Sequence, residues 1–125
     1  MGLQLRRTGE DLAVVRLAPG DDAPGWARGP FVSVTRTAAE LSVVCEAAAV
    51  PADAVAERGW RRLEVLGPLD FALTGVLASL AQPLAEAGVP VFVISTHDTD
   101  HLLVKGDRLA DAEAALRAAG HEVAG

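Results

Sequence analysis

The residues best suited to chemistry gather in one short run, His97-Asp98-Thr99-Asp100-His101. Two imidazoles and two carboxylates are ligand types that zinc or manganese accepts, so one reading is a small metal-dependent enzyme built on His97 to His101. Strand geometry opposes it. Neighbouring side chains on a strand point to opposite faces, and a turn scatters them further. The plainer reading is a polar hairpin turn with an aspartate hydrogen-bonding to the backbone. Cys45 is the single cysteine and has no histidine or cationic helix end beside it in sequence, so a buried, inert thiol is expected. Ser95 and Thr96 lie outside any Gly-x-Ser-x-Gly elbow. Arg58, Arg61 and Arg62 around Trp60 fit a solvated strand face. Read from residues alone, Asp70 is a helix cap and Asp100 a turn residue. No catalytic residue, metal ligand or cofactor is assigned.

The totals narrow the partners. The chain has 125 residues, half of them apolar, which is one domain's worth of polypeptide. Eleven basic against 17 acidic residues give a net charge of −6. An acidic chain gains nothing from the counterion release that drives nucleic-acid binding, so no nucleic-acid partner is expected. A lone cysteine fits a reducing compartment. The stretch from Met1 to Arg16 has no apolar targeting core. No apolar run reaches the roughly 20 residues that span a bilayer. These features predict a cytoplasmic protein with no membrane partner. The Ala/Arg/Gly richness and the absence of tyrosine suggest a bacterial source.

The elements that must position the run follow from periodicity and punctuation. Leu3 and Leu5 alternate with polar residues, and Asp11 to Leu17 reads as a second strand. Pro19 to Pro30 is a loop. Phe31 to Thr35 and Glu40 to Cys45 form a hairpin through Arg36-Thr37-Ala38-Ala39. Leu41, Val43 and Cys45 share one face; Ser42, Val44 and Glu46 share the other. Residues 46 to 59 read as a loop. Trp60 to Leu66 is a strand with Leu63 and Val65 inward and Arg62 and Glu64 toward water. Asp70 is placed to cap a helix starting near Phe71 or Leu73, with Leu73, Leu77, Leu80 and Leu84 as its apolar stripe. Pro83 predicts a kink or a weakened last turn, and Gly88 supplies the C′ residue. Val89 to Ser95 is a strand, Thr96 to Thr99 a turn, and Asp100 to Lys105 the returning strand. Asp107 is placed to cap a second helix with Leu109, Ala112 and Leu116 inward, ending at Gly120. His121 to Val123 forms a short last strand. The order β-α-β-β-α-β with two helices on one face of an antiparallel sheet is an α+β, ferredoxin-like arrangement. Residues 1–58 supply additional N-terminal strands and a hairpin, and residues 59–125 the core.

Gly67-Pro68-Leu69-Asp70-Phe71, Gly75-Val76-Leu77-Ala78, Pro83 to Val89, Phe92 to His101 and Leu103-Val104 together resemble the ACT domains of the CASTOR-type arginine sensors and their small bacterial relatives. The preceding hairpin, Phe31 to Thr35 and Glu40 to Val44, is similar to that family's as well. The most specific stretch is Ile94-Ser95-Thr96-x-x-Thr99-Asp100. The resemblance implies a non-enzymatic regulatory module that senses an amino acid. It also implies a partial ACT-like half over residues 1–58 and a homodimer with the ligand between subunits. Carried over by position, the ligand loop is Asp70, Phe71, Leu73, Thr74 and Gly75. The partner's strand entry is Val89 and Val91, and the turn contributes Thr96, Thr99 and Asp100. Asp100 would take the α-amino group and the helix start the carboxylate. The chain departs from the arginine sensors at Leu73, where they carry an acid. A guanidinium there would be buried unpaired at a cost of several kcal/mol, so an uncharged amino acid is the expected ligand. A purely structural dimerisation module is the other outcome compatible with the resemblance.

Overall fold

The computed structural model describes residues 2–70 and 74–125. Among these residues, seven strands and two α-helices run in the order β1 (Gln4–Leu17), β2 (Ser33–Arg36), β3 (Leu41–Glu46), β4 (Ala56–Val65), α1 (Val76–Glu86), β5 (Phe92–Ser95), β6 (Asp100–Lys105), α2 (Leu109–Ala118) and β7 (Glu122–Ala124). They form two compact units, Met1–Gly9 with Arg61–Gly125, and Glu10–Trp60. Strands β1 and β4 contribute residues to both.

The unit containing the helices has the strand order β7-β1-β4-β6-β5. Antiparallel pairing joins β5 to β6, and β1 runs parallel to β7 with Leu5 opposite Val123. The α+β, ferredoxin-like expectation is met, with one addition. The start of β1 lies between β7 and β4, because Leu5 needs the core and its neighbours can pair on both sides. The core joins Leu5, Leu63, Val65, Leu102 and Val104 of the sheet to Val76, Leu80 and Leu84 of α1 and Ala112 and Leu116 of α2. Fully burying each large aliphatic side chain contributes roughly 1.5–3 kcal/mol.

Both helices end in the same way. Gly88 has φ 71° and Gly120 φ 97°, the left-handed region that glycine enters without a Cβ penalty. After α1, Gly88 N–H bonds the Ala85 carbonyl and Val89 N–H the Leu84 carbonyl. After α2, Gly120 N–H bonds Arg117 and His121 N–H bonds Leu116. This paired pattern satisfies carbonyls that the helix itself leaves open. It drives the residue after each glycine, Val89 and His121, into the interior.

The unit Glu10–Trp60 pairs β2 with β3 and β3 with β1, both antiparallel. Ala13, Val15, Leu41, Val43, Cys45 and Val50 form its core, with Trp26 packed at the margin.

Several expectations change. Gln4–Arg6 and Asp11–Leu17 belong to one continuous strand, since Gly9 at φ 94° lets the chain bend without ending the strand. Strand β4 begins at Ala56, inside the stretch expected to be loop. The first helix starts at Val76. Gly75 occupies the N-cap position at φ 77°, a backbone value that cannot continue a helix upstream, so Asp70 is not its cap. Phe71 and Leu73, the expected start, lie outside the described residues. The shifted start rotates the stripe: Val76 is buried and Leu77 is 46% exposed. Pro83 lies inside α1, which continues to Glu86. Residue Arg108, not Asp107, holds the N-cap position of α2. Val44 is buried although it shares a face with Ser42 and Glu46. Arg62, expected in water, is 6% exposed. Its Nη1 donates to Glu64 Oε1 at 3.2 Å and meets His101 Nδ1 at 3.1 Å.

Candidate functional site

The β5–β6 hairpin sets Ser95 opposite Asp100. Thr96 N–H donates to the Thr99 carbonyl at 2.9 Å, which closes the turn. Ser95 Oγ donates to Asp100 Oδ1 at 2.6 Å and fixes the half-buried carboxylate on the strand. Thr99 Oγ1 donates to the Val65 carbonyl at 2.6 Å, and Leu69 N–H donates to the Asp98 carbonyl at 2.7 Å. These two bonds tie the turn to the chain that leaves β4. A Cβ on Gly67 would stand 3.0 Å from the Asp98 carbonyl oxygen, so only glycine allows that approach without displacement.

A pocket of about 220 Å³ opens between these segments and the start of α1. It is lined by Leu69, Asp70, Val76, Ser95, Thr96, His97, Asp98, Thr99 and Asp100. Leu69 and Val76 give it an apolar floor, and three carboxylates and three hydroxyls give it polar walls. Lysine and arginine are missing from this lining. Helix α1 begins here without a side-chain cap or an acidic first-turn residue. Its first N–H groups have no partner within the helix and carry the positive end of the helix dipole. The pocket can therefore offer donors from one side and carboxylate acceptors from the other.

Of the residues chosen from sequence, Asp70, Thr96, Thr99 and Asp100 come together in this pocket. Thr74 and Gly75 are exposed just before α1. Val89 is buried in the core and Val91 packs against it; neither lines the pocket. Phe71 and Leu73 lie outside the described residues. Leu69, Val76, Ser95, His97 and Asp98 are additions. For Ser95 the signal was available, because a short hairpin turn makes it the register partner of Asp100.

The two histidines of the run do not converge. His97 has a side chain 86% exposed and its Nδ1 lies 2.8 Å from Asp98 Oδ1. His101 is buried on the other face of β6, against Arg62. Among the described residues no group of three or more His, Cys, Asp or Glu side chains is arranged to hold a metal ion. Cys45 is fully buried, and burial pushes its thiol up from its ordinary value, away from the thiolate a nucleophile needs.

Comparisons with known proteins agree with this architecture. Residues 55–118 match the ACT domain family, and residues 10–53 match a family defined as an N-terminal domain. A solved structure from Agrobacterium tumefaciens is 37% identical, covers 98% of this chain and 92% of its own, and superposes with a TM-score of 0.93. A Vibrio cholerae protein described as of unknown function is 18% identical over 95% of this chain and 91% of its own, with a TM-score of 0.74. The ligand-free regulatory subunit of aspartate kinase from Thermus thermophilus shares the fold at 13% identity, covering 92% of this chain and 95% of its own, with a TM-score of 0.64. With more than half of its length matched by the family and a close full-length relative, the chain belongs to the ACT domain family.

Proposed function

We propose that this chain is a non-catalytic regulatory domain that binds a small amino acid and works as a homodimer in the bacterial cytoplasm. The observation that carries the proposal is the shared pocket of Asp70, Thr96, Thr99 and Asp100 beside the uncapped start of α1. A free amino acid presents an ammonium and a carboxylate a few ångströms apart. Asp100 suits the first and the helix N-terminus the second. The proposal also assigns ligand contacts to Phe71, Leu73, Thr74 and Gly75. Val89 and Val91 would be offered by the second subunit, Val89 through its backbone because its side chain is buried. The kinship to the arginine sensors is part of the proposal, with Leu73 shifting preference toward an uncharged side chain. So is the division into a partial ACT-like half over residues 1–58 and an ACT core over 59–125. No helix among the described residues is long and apolar enough to cross a membrane.

A thermal-shift screen of the twenty amino acids tests the proposal. A ligand present at about 100 times its dissociation constant adds about 2.7 kcal/mol of stability, a shift of several degrees. Asp100→Asn should abolish the response while the unliganded melt changes little, because the amide still accepts from Ser95. If no amino acid raises the melting temperature, or if Asp100→Asn leaves the response intact, the ligand reading fails. Light scattering that gives a monomer at high concentration removes the dimer.

A further inference from the structure

We propose that His121 is a proton-operated latch that fastens the start of β1 to helix α1, closed while the imidazole is neutral and open when it is protonated. The latch begins with Pro83. Proline has no N–H, so the Ser79 carbonyl, one turn earlier, loses its helical partner. His121 Nε2 fills that place at 2.8 Å. A carbonyl only accepts, so Nε2 carries the proton. On the other side of the ring, Leu3 N–H lies 3.0 Å from Nδ1. A backbone amide only donates, so Nδ1 carries the lone pair. The two contacts together specify one neutral tautomer. Adding a proton at Nδ1 turns the acceptor into a donor facing a donor, and the Leu3 bond cannot survive it.

The surroundings give this local event a place to act. His121 is 4% exposed, yet it lines a surface cavity of about 270 Å³ with Ser79, Gln82, Pro83, Glu86 and Ala119. Leu3 is the residue just before β1 and is next to the β1–β7 pair. Its carbonyl accepts Glu122 N–H at 2.8 Å. The nearby charged groups are occupied elsewhere. From α1, Glu86 takes Gln82 Nε2, and from β7, Glu122 takes Gln4 Nε2. From α2, Arg117 donates to the Val123 carbonyl and stands 3.7 Å from Glu113, which Arg7 of β1 grips. None of these is bonded to the ring.

Nuclear magnetic resonance on the intact chain tests the latch. The His121 ring nitrogens report tautomer and protonation, and exchange at the Leu3 amide reports opening. While the ring is neutral it should be the Nε2–H tautomer with Leu3 protected. When acid protonates the ring, Leu3 protection should fall about tenfold or more relative to intrinsic exchange, while Leu63 keeps its own. His121→Gln should remove the pH dependence at Leu3. The proposal is overturned by an Nδ1–H tautomer, by Leu3 protection that stays constant while the ring titrates, or by a ring that stays neutral until the fold itself melts in acid. The wild-type measurements decide the matter even if the variant does not fold.

Discussion

Arg7 grips Glu113 at two points, Nε to Oε2 at 2.6 Å and Nη2 to Oε1 at 2.7 Å. The hydrogen bond from Arg7 holds the Glu113 carboxyl below the usual carboxylate range, against burial, which pushes it up. A depressed carboxylate stabilises the fold fully above the ordinary value of about 4.3 and loses that contribution as pH falls through its lower folded value. Glu113→Gln should therefore melt lower than wild type at neutral pH and show a flatter decline in acid. Melting temperatures measured from neutral pH down into the carboxylate range check this; parallel curves would refute it. Neither member of the pair stood out in the sequence, because nothing local says that a residue of the first strand will meet the second helix. Arg62 escaped for the same reason. Alternation along β4 placed it correctly on the face opposite Leu63, but only the packing on that face decides whether it meets water or His101.

Among the elements, α1 separates what periodicity can and cannot settle. The leucine spacing announced a helix, yet Gly75 delays its start and turns Leu77 outward. Leu80→Ala should cost about 2–5 kcal/mol, since it empties a fully buried position. Leu77→Ala should stay within about 0.5 kcal/mol. Chemical denaturation of the two variants distinguishes them; equal losses would mean that the sequence-based stripe was right after all. The β5–β6 hairpin was far more legible. Its polar tip and flanking apolar strands fix a short turn, and the register then brings Ser95 to Asp100. The tie from Thr99 to the Val65 carbonyl was not legible, since it joins positions far apart in the chain.

At the scale of the molecule, the start of β1 completes the unit that holds the pocket. Leu5 lies in the same core as Val65, Leu80 and Leu116. Removing residues 1–9 should abolish the cooperative thermal transition of that unit, or lower it sharply, because a central strand and a buried leucine leave together. Circular dichroism of the truncated chain checks this. An unchanged transition would show that the remaining sheet closes without β1.

The amino-acid sequence by itself determined the features that rest on neighbours in the chain: the class of fold, the order of elements, the helix-ending glycines and the polar hairpin carrying Asp100. Their causes lie within a few residues, in backbone dihedrals, turn chemistry and the two periods of apolar spacing. Only the tertiary structure decided that β1 would lie between β7 and β4, that Arg62 would be buried, and that His121 would replace the amide missing at Pro83. It also brought Asp70 and the turn residues to one pocket. Each of these joins groups separated by tens of residues. The free energy that selects them comes from burial and hydrogen bonding after the chain has closed on itself.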